Sequence, residues 1–175
     1  MGKIVITGTG RCGTTFLVKL FSFLGKDTGF TRETYEKHIA KNCNSGLEMR
    51  LDSGHDVIKN PEFMNQLTAL AKSNPRCVIV PIREYSDAAA SRARHGFGHG
   101  GLWHAQNQQQ QVAYYNKIMA GYMLAMAKHD IPTIFLDFVR MTTDKQYLYN
   151  KLINVLDGVK FEVFAKVYDE VSATC

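Results

Sequence analysis

Four short apolar runs are separated along the chain by longer polar or amphipathic stretches. Each run is rich in β-branched residues, which favour extended backbone. The runs predict β-strands over residues 3–8, 56–59, 76–82 and 132–137. Pro81 has no backbone N–H to donate to a neighbouring strand, so it is expected near a strand end or at an edge of the sheet.

Between these strands, apolar positions recur at the three- and four-residue spacing of helices. Asn60 and Ser86 are residues of the type that caps a helix N-terminus, and the Gln-rich stretch 106–111 is expected to form an exposed helix start. The predicted helices cover residues 14–24, 33–40, 61–71, 87–95, 105–128 and 144–156. Strands that alternate with helices predict an α/β fold, a three-layer αβα arrangement around a mostly parallel central sheet.

Composition narrows the class of protein. With 175 residues and 45% hydrophobic content, the chain suits one domain over residues 1–175 that buries a core unaided. No apolar run approaches the roughly 20 residues of a membrane span, and no signal peptide precedes the first strand. The four cysteines have no C-x-x-C spacing, so reduced thiols in a cytoplasmic protein are expected. A net charge of +5 without a basic tract does not indicate nucleic acid and suits a small anionic ligand.

The strongest candidate for chemistry is a glycine-rich loop between the first strand and the first helix. Its outer glycines have the GxxxxG spacing of a phosphate-binding loop, in which backbone N–H groups and the following helix N-terminus hold an anion. The lysine that nucleotide triphosphatases place after the second glycine is replaced by Thr14, and the cation is Arg11 within the loop. The predicted anion-binding residues are Gly8, Thr9, Gly10, Arg11, Cys12, Gly13, Thr14 and Thr15.

A second candidate element follows the strand over residues 76–82. Arg83 comes directly after this strand, and Ser91 lies eight residues later in the next predicted helix. A strand-end arginine and a hydroxyl in the following helix converge at the carboxyl edge of a parallel sheet, where such sheets bind ligands. A guanidinium there grips phosphate oxygens in a planar fork.

These elements resemble sulfotransferases. The string GTGRCGTTFL resembles the loop that binds the 5′-phosphosulfate, and Arg83 with Ser91 resembles the pair that binds the 3′-phosphate of PAPS (3′-phosphoadenosine 5′-phosphosulfate). The stretch VIKNPEF, residues 57–63, is similar to the Lys-x-Pro segment of many bacterial and Golgi-type members. The resemblance covers residues 3–95. It implies a P-loop NTPase-like fold, PAPS as sulfuryl donor and PAP (adenosine 3′,5′-bisphosphate) as product.

The resemblance also implies a reaction, the in-line transfer of a sulfuryl group to a hydroxyl or amine of a small-molecule or carbohydrate acceptor without a catalytic metal. Arg11 is expected to stabilise the leaving group, and Lys59 is expected to contact the sulfuryl group. The general base is left open between Glu33 and His55. Residues 96–101 are a candidate for closure over the donor. Trp103 and His104 either line the acceptor pocket or anchor the long helix.

Two other functions remain open at this stage. Asp137, at the end of an apolar strand, has the position of a Walker-B aspartate, which favours a P-loop kinase that uses Mg-ATP. A non-catalytic module that binds PAPS or PAP is the other alternative, favoured by the short chain.

Overall fold

The computed structural model describes residues 2–40, 45–95 and 101–174. Its main sheet has four parallel strands in the order β4-β1-β5-β6, and a separate antiparallel pair is formed by β2 and β3. The strands are β1 (Ile4–Ile6), β2 (Ile39–Ala40), β3 (Ser45–Gly46), β4 (Val57–Lys59), β5 (Cys77–Ile82) and β6 (Thr133–Asp137). The predicted α/β fold with a parallel central sheet is confirmed, and all four predicted strands are present.

Seven α-helices connect and cover these strands in the described residues. They are α1 (Thr14–Phe23), α2 (Leu67–Lys72), α3 (Tyr85–Ala93), α4 (Gln108–Lys128), α5 (Phe138–Thr143), α6 (Lys145–Leu152) and α7 (Phe161–Ser172). Short 3₁₀ turns span Tyr35–His38, Pro61–Asn65 and Ile153–Val155. None of the helices in the described ranges is long and apolar enough to cross a membrane.

Alternate residues of each central strand supply two separate hydrophobic cores, one on each face of the sheet. Ile4 and Ile6 of β1 join the core formed with α1, α6 and α7. Val5, between them, joins the core formed with α2, α3 and α4. Both faces are therefore covered by helices, which is the reason a parallel sheet is stable in water. All ten residues of α1 are buried, which explains its apolar residues around the whole circumference.

Several predicted helix boundaries are wrong for local reasons. Asn60 does cap the segment after β4, since its side chain accepts from Glu62 N at 3.0 Å, but that turn is 3₁₀ and Gln66 separates it from α2. Ser86 does not cap α3, because the helix begins at Tyr85 with Glu84 in the cap position. The long helix starts three residues later than predicted, where the Asn107 side chain accepts from Gln110 N at 2.9 Å.

Two helices near the C-terminus are absent from the prediction. Asp137 caps α5 directly at the end of β6, which leaves no polar linker between strand and helix. In α7 the buried positions are Phe164, Val167, Tyr168 and Val171, an apolar stripe that sequence reading could have found. The predicted final helix over 144–156 is α6 followed by a 3₁₀ turn.

Pro81 lies where the absence of a donor is tolerated. It is the second-last residue of β5 and pairs with Leu136 of β6. The pairing between β1 and β5 ends at Ile79 of β5, so Pro81 lies beyond the residues of β5 that pair with β1. The expectation that it lies near a strand end is confirmed.

Candidate functional site

The glycine loop occupies the carboxyl edge of the sheet between β1 and α1. Three of its residues have positive φ, namely Gly10 (78°), Arg11 (56°) and Gly13 (86°). A Cβ on Gly10 would overlap the Arg92 guanidinium, and a Cβ on Gly13 would lie 2.5 Å from Met141 Cε. Glycine is required at these two positions by backbone conformation and by close packing together.

A cavity of about 550 Å³ opens over this loop. Five of the eight predicted loop residues line it, and so do Lys59 and Arg83. The five are Gly10, Arg11, Gly13, Thr14 and Thr15. The other three, Gly8, Thr9 and Cys12, are buried and do not line the cavity. Burial raises the pKa of the Cys12 thiol, so this cysteine is neutral and packs beneath the loop.

Arg11 is the residue on which the two predicted elements meet. Its Nε donates to Ser91 Oγ at 3.3 Å, and its Nη2 donates to His95 Nε2 at 3.0 Å. Its carbonyl oxygen accepts from Arg83 Nη1 at 3.1 Å. Arg83 and Ser91 therefore do converge, but each contacts Arg11, and only Arg83 lines the cavity.

Three guanidinium groups surround the loop. Arg83 lies over the Phe138 ring, with 4.6 Å between the guanidinium carbon and the ring centroid. Arg92 was missed by sequence reading; its Nη1 donates to Gly101 O at 2.7 Å, and its guanidinium lies over the Trp103 ring. Arg92 and Arg83 both line the cavity beside Arg11. This concentration of positive charge, together with the N-terminus of α1, favours a multiply charged anion.

Lys59 and Glu48 also line the cavity and form an ion pair there. The Lys59 side chain is 1% exposed, and its Nζ donates to Gly46 O at 2.9 Å and to Glu48 Oε1 at 2.5 Å. Burial lowers the pKa of the Lys59 ammonium, while the Glu48 carboxylate opposes that effect. Glu48 keeps 42% of its side chain exposed and lines the cavity, so it can meet a bound molecule.

The two general-base candidates named from sequence do not line this cavity. Glu33 is exposed and accepts from Thr31 Oγ1 at 2.6 Å, a hydrogen bond that lowers the pKa of its carboxyl. His55 Nδ1 lies 2.8 Å from Asp27 Oδ1, and this contact lowers the pKa of Asp27. Neither side chain is brought together with Arg11, whereas Glu48 is.

Other residues singled out from sequence have structural contacts. Asp137 Oδ1 accepts from Arg140 N at 2.8 Å as the cap of α5, and Asp137 does not line the cavity. Trp103 N donates to Gln111 Oε1, and the Trp103 ring lies against His104 and Tyr114. This cluster anchors the start of α4, and Gln111 is fully buried rather than on the exposed face.

Residues 96–100 of the proposed closing loop, and Cys43 and Cys175, lie outside the described residues.

No family model, curated protein or solved structure matches this chain. Within residues 2–40, 45–95 and 101–174, no group of three or more His, Cys, Asp or Glu side chains is arranged to hold a metal ion.

Proposed function

We propose that the protein is a PAPS-dependent sulfotransferase with a P-loop NTPase-like sheet. The observation that carries the proposal is the joint lining of one cavity by Arg11, Arg83 and the loop glycines, at the N-terminus of α1. A 5′-phosphosulfate suits the loop, and a second phosphate suits a strand-end guanidinium. The cavity volume of about 550 Å³ is within the range of small-molecule sites.

The hydrogen-bond donors and positive charges that line the cavity are complementary to the negative charges of PAPS. Backbone N–H groups of the loop and the hydroxyls of Thr14 and Thr15 can donate to phosphate oxygens, as can the guanidinium groups. PAPS, when bound, supplies the sulfuryl group that an acceptor oxygen or nitrogen attacks in line. Arg11 is suited to stabilise the negative charge that grows on the leaving oxygen, because it is held in place before the reaction.

Glu48 is the general base in this proposal, in place of Glu33 or His55. Among the described residues it is the glutamate that lines the cavity, together with Arg83. The Lys59 ammonium fixes one carboxylate oxygen, Oε1, and leaves Oε2 available to receive the acceptor proton. Ser45 also lines the cavity and can hydrogen-bond the acceptor. Lys59 itself is suited to contact the sulfuryl group.

Thermal melts with candidate ligands test the donor. At about 100 times its dissociation constant, PAP adds roughly 2.7 kcal/mol, a Tm increase of roughly 5–10 °C for a domain of this size. We expect this increase in the wild type and its loss in Arg83→Ala. Arg140→Ala is the matched control, because Arg140 also lies over an aromatic ring, Tyr147, but does not line the cavity. An increase with ADP and Mg²⁺ but none with PAP would contradict the proposal and favour the kinase.

Transfer from labelled PAPS to a panel of sugars, peptides and small alcohols tests the base. Glu48→Gln is expected to keep the PAP-induced Tm increase and to lower transfer by about 10²–10⁴-fold. Glu162→Gln, an exposed glutamate of α7, is the control and should leave both unchanged. Loss of transfer in Glu33→Gln with full transfer in Glu48→Gln would restore the candidate named from sequence. Binding of PAP with no transfer to any acceptor would favour the non-catalytic module.

A further inference from the structure

The ends of two neighbouring strands place an arginine beside an aromatic ring. In the parallel pair of β5 and β6, Ile82 lies opposite Asp137. The residues that follow are Arg83 and Phe138, so both leave the sheet at the same carboxyl edge. The Arg83 guanidinium carbon lies over the Phe138 ring, 4.6 Å from its centroid. Because the face of an aromatic ring carries partial negative charge, this contact attracts the guanidinium to a fixed place beside the cavity.

The Phe138 ring is itself held in place. Phe138 is the first residue of α5 and directly follows the cap residue Asp137, whose side chain accepts from Arg140 N at 2.8 Å. The ring packs against the core formed with α1, α6 and α7. Its edge lies behind the loop, where a Cβ on Gly13 would be 3.2 Å from Phe138 Cε2. A ring that is fixed by these contacts can restrict the long, flexible side chain of Arg83.

The stacked guanidinium still presents hydrogen-bond donors to the cavity. Stacking covers a face of the guanidinium, whereas its N–H groups point outward in the plane of the group. Nη1 donates to Arg11 O at 3.1 Å, which connects the group to the loop backbone. Arg83 and Phe138 both line the cavity, so the other N–H groups of Arg83 can reach an anion there. A half-buried arginine without such support would lose side-chain entropy when it binds that anion.

The geometry points to Phe138 as the positioning residue that holds the Arg83 guanidinium over its ring and thereby raises the affinity of the cavity for an anion. Phe138 acts through Arg83, because the ring supplies neither a charge nor a hydrogen-bond donor to a phosphate. The effect on PAP affinity rests on the proposed function, whereas the contact between Phe138 and Arg83 does not.

NMR of the ligand-free protein tests the contact without reference to function. The ring current of Phe138 should shift the Hδ and Hε protons of Arg83 upfield, and this shift should vanish in Phe138→Leu. Arg140 is the internal reference, because its guanidinium carbon lies 4.0 Å from the centroid of the Tyr147 ring and its protons should keep their shift in that variant. Arg83 protons without an upfield shift in the wild type, or with the same shift in Phe138→Leu, would overturn the inference.

PAP affinity measured by titration calorimetry tests the consequence. Phe138→Leu keeps an apolar side chain but removes the ring, so we expect the affinity to fall by about 5–30-fold, the factor that corresponds to a cation–π contact between half-buried groups. Phe138→Tyr keeps the ring face and should bind PAP like the wild type. A ring-fluorinated phenylalanine at this position keeps the size of the ring but weakens its negative face, so it should bind PAP more weakly than the wild type.

Phe161→Leu is the matched control for removal of a ring. Phe161 is also the half-buried first residue of a helix, α7, and it does not line the cavity. We expect the PAP affinity of this variant to equal that of the wild type. A loss as large as that in Phe138→Leu would show a general effect of destabilisation and would overturn the inference.

A double-mutant cycle separates the positioning of Arg83 from a direct contact between the ring and PAP. In the Arg83→Ala background, at the higher PAP concentrations that this variant needs, Phe138→Leu should cause no further loss of affinity. A further loss as large as that in the wild-type background would overturn the inference, because the ring would then act without Arg83.

The two proposals fail in different ways. If PAP binds the wild type and Phe138→Leu equally, the inference fails while the proposed function stands. If PAP binds neither the wild type nor any variant, the proposed function fails, and the NMR result still decides whether Phe138 holds Arg83. The two failures are thus distinguishable.

Discussion

Gly13 is the loop position at which the structure allows a substitution to be worked through in magnitude. It precedes the first residue of α1, with φ 86° and ψ 19°. An added Cβ would lie 2.5 Å from Met141 Cε and 3.2 Å from Phe138 Cε2. Gly13→Ala therefore combines an unfavourable backbone conformation with a collision against two side chains behind the loop.

Two other glycines separate these costs. Gly25 has a φ of 79° and nothing within 4 Å of an added Cβ, so Gly25→Ala has the backbone cost alone, about 1–2 kcal/mol. Gly54 has neither a positive φ nor a neighbour within 4 Å, so Gly54→Ala should be neutral or stabilise by about 0.4–1 kcal/mol. Gly13→Ala adds overpacking of about 1–3 kcal/mol to the backbone cost, for a total of about 2–5 kcal/mol. Because the end of the Met141 side chain is flexible and can move away, we expect the destabilisation by Gly13→Ala in the lower half of that range.

Urea unfolding followed by circular dichroism measures the three free energies of unfolding, and thermal melts give a second estimate. The expected order of stability is Gly54→Ala, then Gly25→Ala, then Gly13→Ala, and each kcal/mol corresponds to about 2–4 °C in Tm. Gly13→Ala should also weaken PAP binding, whereas Gly25→Ala should not. Equal destabilisation in Gly13→Ala and Gly25→Ala would refute the reasoning, since the contact with Met141 and Phe138 would then have no cost.

Two further predictions concern ion pairs. Lys59→Met should change the free energy of unfolding by less than about 1 kcal/mol, because its partner Glu48 is 42% exposed and can be hydrated. Transfer from PAPS should nevertheless fall steeply in this variant. A large loss of stability in the melt would contradict this prediction. Hydrogen bonds from Arg76 and Lys26 lower the pKa of Asp157 to about 2, so its stabilisation is present above the unfolded pKa of roughly 4 and disappears as pH falls towards 2. Asp157→Asn should flatten the stability profile over that window, and an unchanged profile by acid titration would exclude the pair as a contributor.

The sheet and the loop were predictable because their signals are local. β-Branched runs identify the strands, and the glycine spacing identifies a turn that aims N–H groups at an anion. The parallel order then brings the ends of β1, β4 and β5 to one edge. Lys59 and Arg83 therefore line the same cavity as the loop, although Arg83 is 24 residues after Lys59.

What the sequence could not predict depends on tertiary contacts. Glu48 lies in a polar segment without periodicity. Its side chain is held by the Lys59 ammonium, 11 residues further along, and the backbone of the next residue, Met49, donates to Lys59 O at 2.9 Å. Arg92 is adjacent to Ser91 in the chain, and sequence alone gave no reason to prefer one of them. The direction of the Arg11 side chain is set by its contacts with Ser91 of α3 and with His95, which lie 80 and 84 residues further along the chain.

The hydrogen bond from Arg11 to Ser91 of α3 changes the interpretation of the Arg83/Ser91 pair. Because Ser91 Oγ accepts from Arg11, its hydroxyl binds the loop arginine. In the proposed complex the 3′-phosphate is therefore bound mainly by the guanidinium groups that line the cavity. Arg83 also donates to the Arg11 carbonyl, so its side chain supports the loop backbone and faces the cavity at once. A single substitution at Arg83 therefore removes both a ligand contact and a loop support. Ser91→Ala separates them, because it removes only the support, and a loss of PAP affinity in that variant with intact Arg83 measures how much of the site depends on a correctly held Arg11.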